Sequence, residues 1–242
     1  MTPVGLQLVH EDEAEGLVSA VFVDVRARMP FVPALFKALA GDPEVLVAAW
    51  LQARAIYDDP RSTAAAAAIR SSAQVEIGYR PGARVRTTLQ PYADELPRML
   101  LIVTSLQLTL AGELPLQPAP EPNLPEPAPV PEPEFPDRAE HQLFTDICAV
   151  YGTQHLPSIF RTLAADGLLE EVWDALGPFL ASPEGADTID RINNAADTGA
   201  RAIPEVACFQ LRNAQPTLDQ FSRALPRNLI IALAGCTDHP AH

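Results

Sequence analysis

A run of prolines in the middle of the chain divides everything else in two. From Pro115 to Pro136 nearly every second residue is proline, interleaved with Glu121, Glu126, Glu132 and Glu134. Proline lacks the amide N–H, and its ring collides with the preceding turn, so no helix passes through such a stretch. The expected form is an extended, solvated polyproline II spacer rising about 3.1 Å per residue, with roughly 60 Å of reach. A docking motif for a proline-recognising domain is the sharper alternative, and the acidic interleaving does not favour it. The expected organisation is a helical repeat over residues 1–114, a linker over 115–136 and a second helical repeat over 137–242, both repeats packing as one unit.

The two flanks match each other in three blocks. Phe22-Val23-Asp24-Val25 corresponds to Phe144-Thr145-Asp146-Ile147. The block from Val32 to Ala40, with Pro33, Phe36 and Leu39, corresponds to Leu156 to Ala164, with Pro157, Phe160 and Leu163. Leu96-Pro97-Arg98 corresponds to Leu225-Pro226-Arg227, and Trp50 falls opposite Trp173. Blocks recurring in one order at nearly constant spacing indicate a duplication. Each copy reads as helices. Leu17, Val21, Val25 and Arg28 share a stripe that Phe22 widens. Asp42-Pro43-Glu44 supplies an N-cap acid, a proline at the first position and a second acid near the positive end. Residues 62–77 read as a further helix, Thr217 to Gln220 as a capping box, and 81–90 as a loop with some strand character. The expected fold class is therefore all-α, two tandem helical repeats forming a pseudo-two-fold intramolecular dimer. The seam between the halves is the natural place for a pocket.

Composition narrows the partners. With 48% hydrophobic and 20% charged residues in 242, the chain has ample material for a core. The formal net charge of −14 argues against nucleic acid and against an anionic membrane surface. Cys148, Cys208 and Cys236 form no C-x-x-C, so neither a zinc knuckle nor a dithiol redox pair is written here. The N-terminal stretch has no signal-peptide pattern, and the apolar run from Met99 to Ala111 is too short to span a bilayer. The expected setting is cytoplasmic. Further homo-oligomerisation is compatible with the sequence.

The segment from Asp24 to Ala40, repeated more weakly from Asp146 to Ala164, resembles the group I 2-haloacid dehalogenases, the DehI family. It is also similar to the related alkylhydroperoxidase-D-like group, although the missing C-x-x-C speaks against peroxidase chemistry. The resemblance implies an all-helical pseudo-dimer with its active site between the repeats. It implies direct displacement of halide from C2 of a small 2-haloacid by a water that an aspartate activates, with no metal and no cofactor. In that alignment the family's hydroxyl position is Ser158, and the position of its aspartate is Ile159, which cannot accept a proton. An orienting asparagine expected in the first repeat is Leu96.

Ser158 is the leading candidate for touching a small organic-acid ligand. Phe31, Phe36 and Phe160 are core residues first and pocket residues second. His155 reads as a loop residue or a substitute base, Asp166 as a helix cap matching Asp42, and Asn193 and Asn194 as a solvated face. The tail from Cys236 to His242 holds ligand types for a metal but reads as a frayed end. Two functions compete. One is a diverged haloacid hydrolase; the other is a non-catalytic small-molecule binder or interaction scaffold of the same fold.

Overall fold

The computed structural model describes residues 7–114, 123–130, 142–153, 155–203 and 209–236. The described residues fold as ten α-helices with no strand. The first five are α1 (Gly16–Arg26), α2 (Ala34–Leu39), α3 (Pro43–Asp58), α4 (Arg61–Ser72) and α5 (Ala83–Leu110). After the proline-rich segment come α6 (Phe144–Tyr151), α7 (Ser158–Ala165), α8 (Leu169–Leu180), α9 (Pro183–Ala202) and α10 (Gln215–Ala234). The most extensive contacts run between α5 and α10 and between α4 and α9, so the two halves are packed into one body. One contiguous apolar core runs through both. Val21, Phe22 and Val25 of α1, Leu46 and Trp50 of α3, and Leu229 to Ile231 of α10 are all within it. Burying each such aliphatic or aromatic side chain is worth about 1.5–3 kcal/mol.

Local chemistry explains where the helices begin and end. Asp42 caps α3 by accepting from the Val45 amide at 3.3 Å, with Pro43 in the first turn. Pro33 and Pro157 stand one residue before α2 and α7, both with extended backbone near φ −58° and ψ 143°. Gly167 ends α7 with φ 67°, a left-handed value that favours glycine. Gly199 allows α9 its close approach to α4 and α5, since a Cβ there would sit 3.0 Å from Ala65 and from Leu101. Matching aromatic contacts occur in the two halves. Phe36 meets Trp50 edge-on at 5.3 Å, and Phe160 meets Trp173 edge-on at 5.6 Å.

Several expectations are corrected. Residues 83–90 are the start of α5, because Val85 and Leu89 join the core at helical spacing with Tyr92 and Leu96. Leu17, in the first turn of α1, is 56% exposed, whereas Val21 and Val25 further along the same stripe are buried. The helix expected over 62–77 is α4, which ends at Ser72. No Thr217 capping box forms; α10 starts upstream, at Gln215 with Pro216 in its first turn. Asp166 closes α7 and does not open α8. Its carboxylate accepts from the Thr88 hydroxyl at 2.5 Å, and its carbonyl from Arg84 at 2.8 Å, tying α7 to α5.

The described part of the proline-rich segment, 123–130, is largely exposed but tied to the folded body. Ser19 Oγ donates to the Ala128 carbonyl at 2.8 Å and accepts from the Ala128 amide at 3.1 Å. Arg54 donates to the Asn123 carbonyl at 3.0 Å, and Val130 is buried in the core. This stretch is a strap across α1 and α3. The rest of the linker, Cys208 and the tail beyond Cys236 lie outside the described residues.

Two charged clusters sit inside the first half. Lys37, the sole lysine of the chain, pairs with Glu11 at 2.7 Å, the two side chains 7% and 0% exposed. Asp24 accepts from the Trp50 indole at 2.8 Å and from Arg54 at 3.0 Å, and pairs with Arg28 at 2.6 Å. Burial alone would raise the Asp24 pKa. The hydrogen bonds from Trp50 and Arg54, with the charges of Arg28 and Arg54, outweigh burial and hold it below the ordinary carboxylate value.

Candidate functional site

A mainly apolar cavity lies where four elements converge. The turn into α2 contributes Phe31, Pro33, Ala34 and Leu35. From α5 come Tyr92, Glu95, Leu96 and Met99, on one stripe at helical spacing. The turn into α7 contributes Thr153, His155, Pro157 and Ser158, and α10 contributes Gln220, Phe221, Ala224, Leu225 and Asn228. The space open to the centre of a water molecule is about 60 Å³. At roughly 10–15 Å³ for each water so measured, that is room for about four to six waters, or a molecule of similar size.

Its polar groups are few and placed at separate points of the wall. Glu95 is half-buried, and burial raises its carboxyl above the ordinary value. The neighbouring Asp94 charge adds to that shift, while Arg98 and the Tyr57 hydroxyl oppose it. Tyr57 does little to cap this carboxylate. Its single proton goes to the Arg28 carbonyl at 2.9 Å, leaving the Glu95 contact at 3.5 Å. On α10, the side-chain oxygens of Gln220 and Asn228 are buried with no hydrogen-bond partner. Tyr92 donates to Thr162 at 2.7 Å, because the Thr162 proton is directed to the Ser158 carbonyl at 3.2 Å. That relay fixes the first turn of α7, where Ser158 meets the cavity. Pro157 offers α7 no side-chain cap, and Pro157 and Ser158 bring the positive end of that helix to the wall of the same space. No lysine or arginine is among the described residues of the wall.

Of the residues singled out in the sequence, Phe31, His155 and Ser158 line the cavity. Phe36 and Phe160 do not. Both are wholly buried in the core, held by Trp50 and by Tyr151 and Trp173. Ile159 is 1% exposed and belongs to the core, while Leu96 is on the wall. Asn193 and Asn194 are exposed on α9, at the edge of a different cleft. Sequence reasoning missed Tyr92, Glu95, Gln220 and Asn228. Glu95 carried a usable signal: it is an acid directly beside the Tyr92, Leu96 and Met99 stripe of a helix that buries that stripe.

Among the described residues there is no group of three or more metal-ligating side chains. None of their helices is long and apolar enough to cross a membrane.

No known family profile matches the chain, and no curated protein matches it. Solved structures do. A D-2-haloacid dehalogenase in complex with L-LA aligns with a TM-score of 0.71 at 19% identity, covering 97% of this chain and 95% of that one. A mutant D-2-haloacid dehalogenase with D-2-CPA gives 0.69 at 18% identity, covering 97% and 93%. A further mutant gives 0.70 at 18% identity, covering 97% and 95%. The chain therefore has the all-α fold of a 2-haloacid dehalogenase over nearly its whole length.

Proposed function

We propose that the cavity binds a small 2-haloacid and hydrolyses it, with Glu95 in the role of the base. The observation that carries this reading is the half-buried Glu95 carboxyl on the wall of a small, mainly apolar cavity in a dehalogenase-like fold. A carboxylate whose pKa is raised above its ordinary value is a stronger base. In the reaction, the oxygen of a water forms a bond to C2 as the C2–halogen bond breaks. Halide leaves with the bonding pair, and the water proton passes to Glu95. The unpartnered oxygen of either Asn228 or Gln220 can accept the water's other proton and so orient it. The Ser158 hydroxyl and the positive end of α7 supply the donors for the substrate carboxylate, which the wall otherwise meets with no cationic side chain. The cavity volume suits a substrate of a few carbons.

The same reading holds that residues 1–114 and 137–242 are duplicated units fused as an intramolecular pseudo-dimer. Five helices in each half, the pairing of α5 with α10 and of α4 with α9, and the two proline-led turns at the cavity support it. Halide release from both enantiomers of 2-chloropropionate tests the function. Glu95→Gln should slow it by about 10²–10⁴-fold. No release by the parent protein at high concentration, or an unchanged rate in the variant, would overturn the assignment.

A specific observation favours a second reading, a non-catalytic binder. Ile159, at the position where the resemblance puts the family's aspartate, lies in the core. A rise in Tm with short carboxylic acids, without halide release, selects this alternative.

A further inference from the structure

On the far side of Glu95 lies a second space, an open cleft of about 730 Å³ whose wall includes Pro30, Arg86, Gln90, Pro91 and Cys236. Glu95 borders both this cleft and the mainly apolar cavity. Two pairs of sequence neighbours also divide between them. Pro30 faces the cleft and Phe31 the cavity; Pro91 faces the cleft and Tyr92 the cavity. The partition is therefore a single layer of residues thick.

We propose that this cleft is the vestibule through which small molecules reach the cavity, and that the side chains of Glu95 and Phe31 form the gate. The proposal rests on the cavity being the ligand site, and not on the chemistry performed there.

The gate is built to move without disturbing the fold. Glu95 is a flexible polar side chain with the cleft on one side and the mainly apolar cavity on the other, and it is restrained only by a long contact from Tyr57 at 3.5 Å and the charge of Arg98. Rotation about its side-chain bonds opens the partition with no backbone change, on a picosecond to nanosecond scale if unhindered. Phe31 belongs to the short turn between α1 and α2, and its ring rests tilted on Tyr92 at 5.9 Å. The α5 segment behind the partition is held in place: Tyr92, Ala93 and Leu96 are buried, and Arg70 bonds the Ala93 carbonyl at 2.7 Å, so side-chain rotation and not helix movement opens the gate. Arg86, Thr87, Gln90 and Asp94 make the cleft a hydrated mouth, from which a ligand sheds water only on passing the gate.

Accessibility of a thiol placed inside the cavity tests this without any substrate. Ser158→Cys is introduced into a chain carrying Cys148→Ser, Cys208→Ser and Cys236→Ser, and its modification rate by a small methanethiosulfonate reagent is measured. Gln90→Trp and Thr87→Trp, each at an exposed position of the cleft, are then added separately to plug the mouth. The expected result is slowing by an order of magnitude or more with either plug, at unchanged helical content and Tm. Phe31→Ala, which thins the gate, should speed modification in the unplugged chain. Rates indifferent to both plugs would overturn the proposal, because access would then run past Thr153 and Phe221. A thiol at 158 that never reacts in the folded protein would overturn it as well.

Discussion

Glu95 sits on a conflict between function and stability, and the conflict is measurable. A carboxyl whose folded-state pKa lies above its ordinary value contributes stability that is fully present below that ordinary value of 4.5. It loses that contribution as pH rises through the folded-state value. At neutral pH the ionised group is therefore a burden on the fold. Glu95→Gln should raise Tm at neutral pH while slowing halide release, and the Tm difference should shrink in acid. A lower Tm for the variant at neutral pH would contradict the burial argument. Asp24 has the opposite sign. Its pKa is held below 3.8, so its contribution is present above that value and is lost as pH falls through the folded-state one. Asp24→Asn should cost about 1.5–3 kcal/mol at neutral pH, the worth of hydrogen bonds to a charged group, with the gap closing in acid. Urea melts of both variants across pH would show the two slopes with opposite signs.

At the scale of the elements, α5 shows how a helix survives internal prolines. Pro97 has no amide to bond the Ala93 carbonyl, which lies in the buried stretch of the helix. Arg70 of α4 supplies the missing donor at 2.7 Å. Arg70→Ala should cost about 1–3 kcal/mol by stranding that carbonyl, far more than its exposed ion pair with Asp94 at 3.3 Å is worth. A variant as stable as the parent in denaturant would refute the compensation. The same helix marks the limit of what the sequence discloses. The start of α3 was legible in Asp42-Pro43-Glu44 because capping is local chemistry, settled by adjacent residues. The start of α5 was not, since Val85, Thr87 and Thr88 are β-branched and Pro91 follows. Its helicity is decided by Val85, Leu89 and Tyr92 packing into a core that propensity does not see. The site divides likewise. Ser158 and His155 adjoin a proline block readable in one dimension, whereas Glu95 and Asn228 meet only because α5 and α10 pack together.

At the scale of the whole molecule, the middle of the proline-rich segment is part of the folded body. Ser19 holds Ala128 through two hydrogen bonds, and Arg54 joins Asn123 to the Asp24 cluster. Ser19→Ala should weaken the strap by about 1–3 kcal/mol, two bonds at about 0.5–1.5 kcal/mol each. Faster amide hydrogen exchange over 123–130, with α5 and α10 unchanged, is the expected reading. Uniform loss of protection through the core would mean that the strap is not a separable unit. The buried Lys37 and Glu11 pair has a further consequence at this scale. With no other lysine in the sequence, the folded chain presents amine-directed reagents with an ε-amine that is only 7% exposed. Acylation at that position then reports, residue by residue and without any introduced label, how often the first half breathes open.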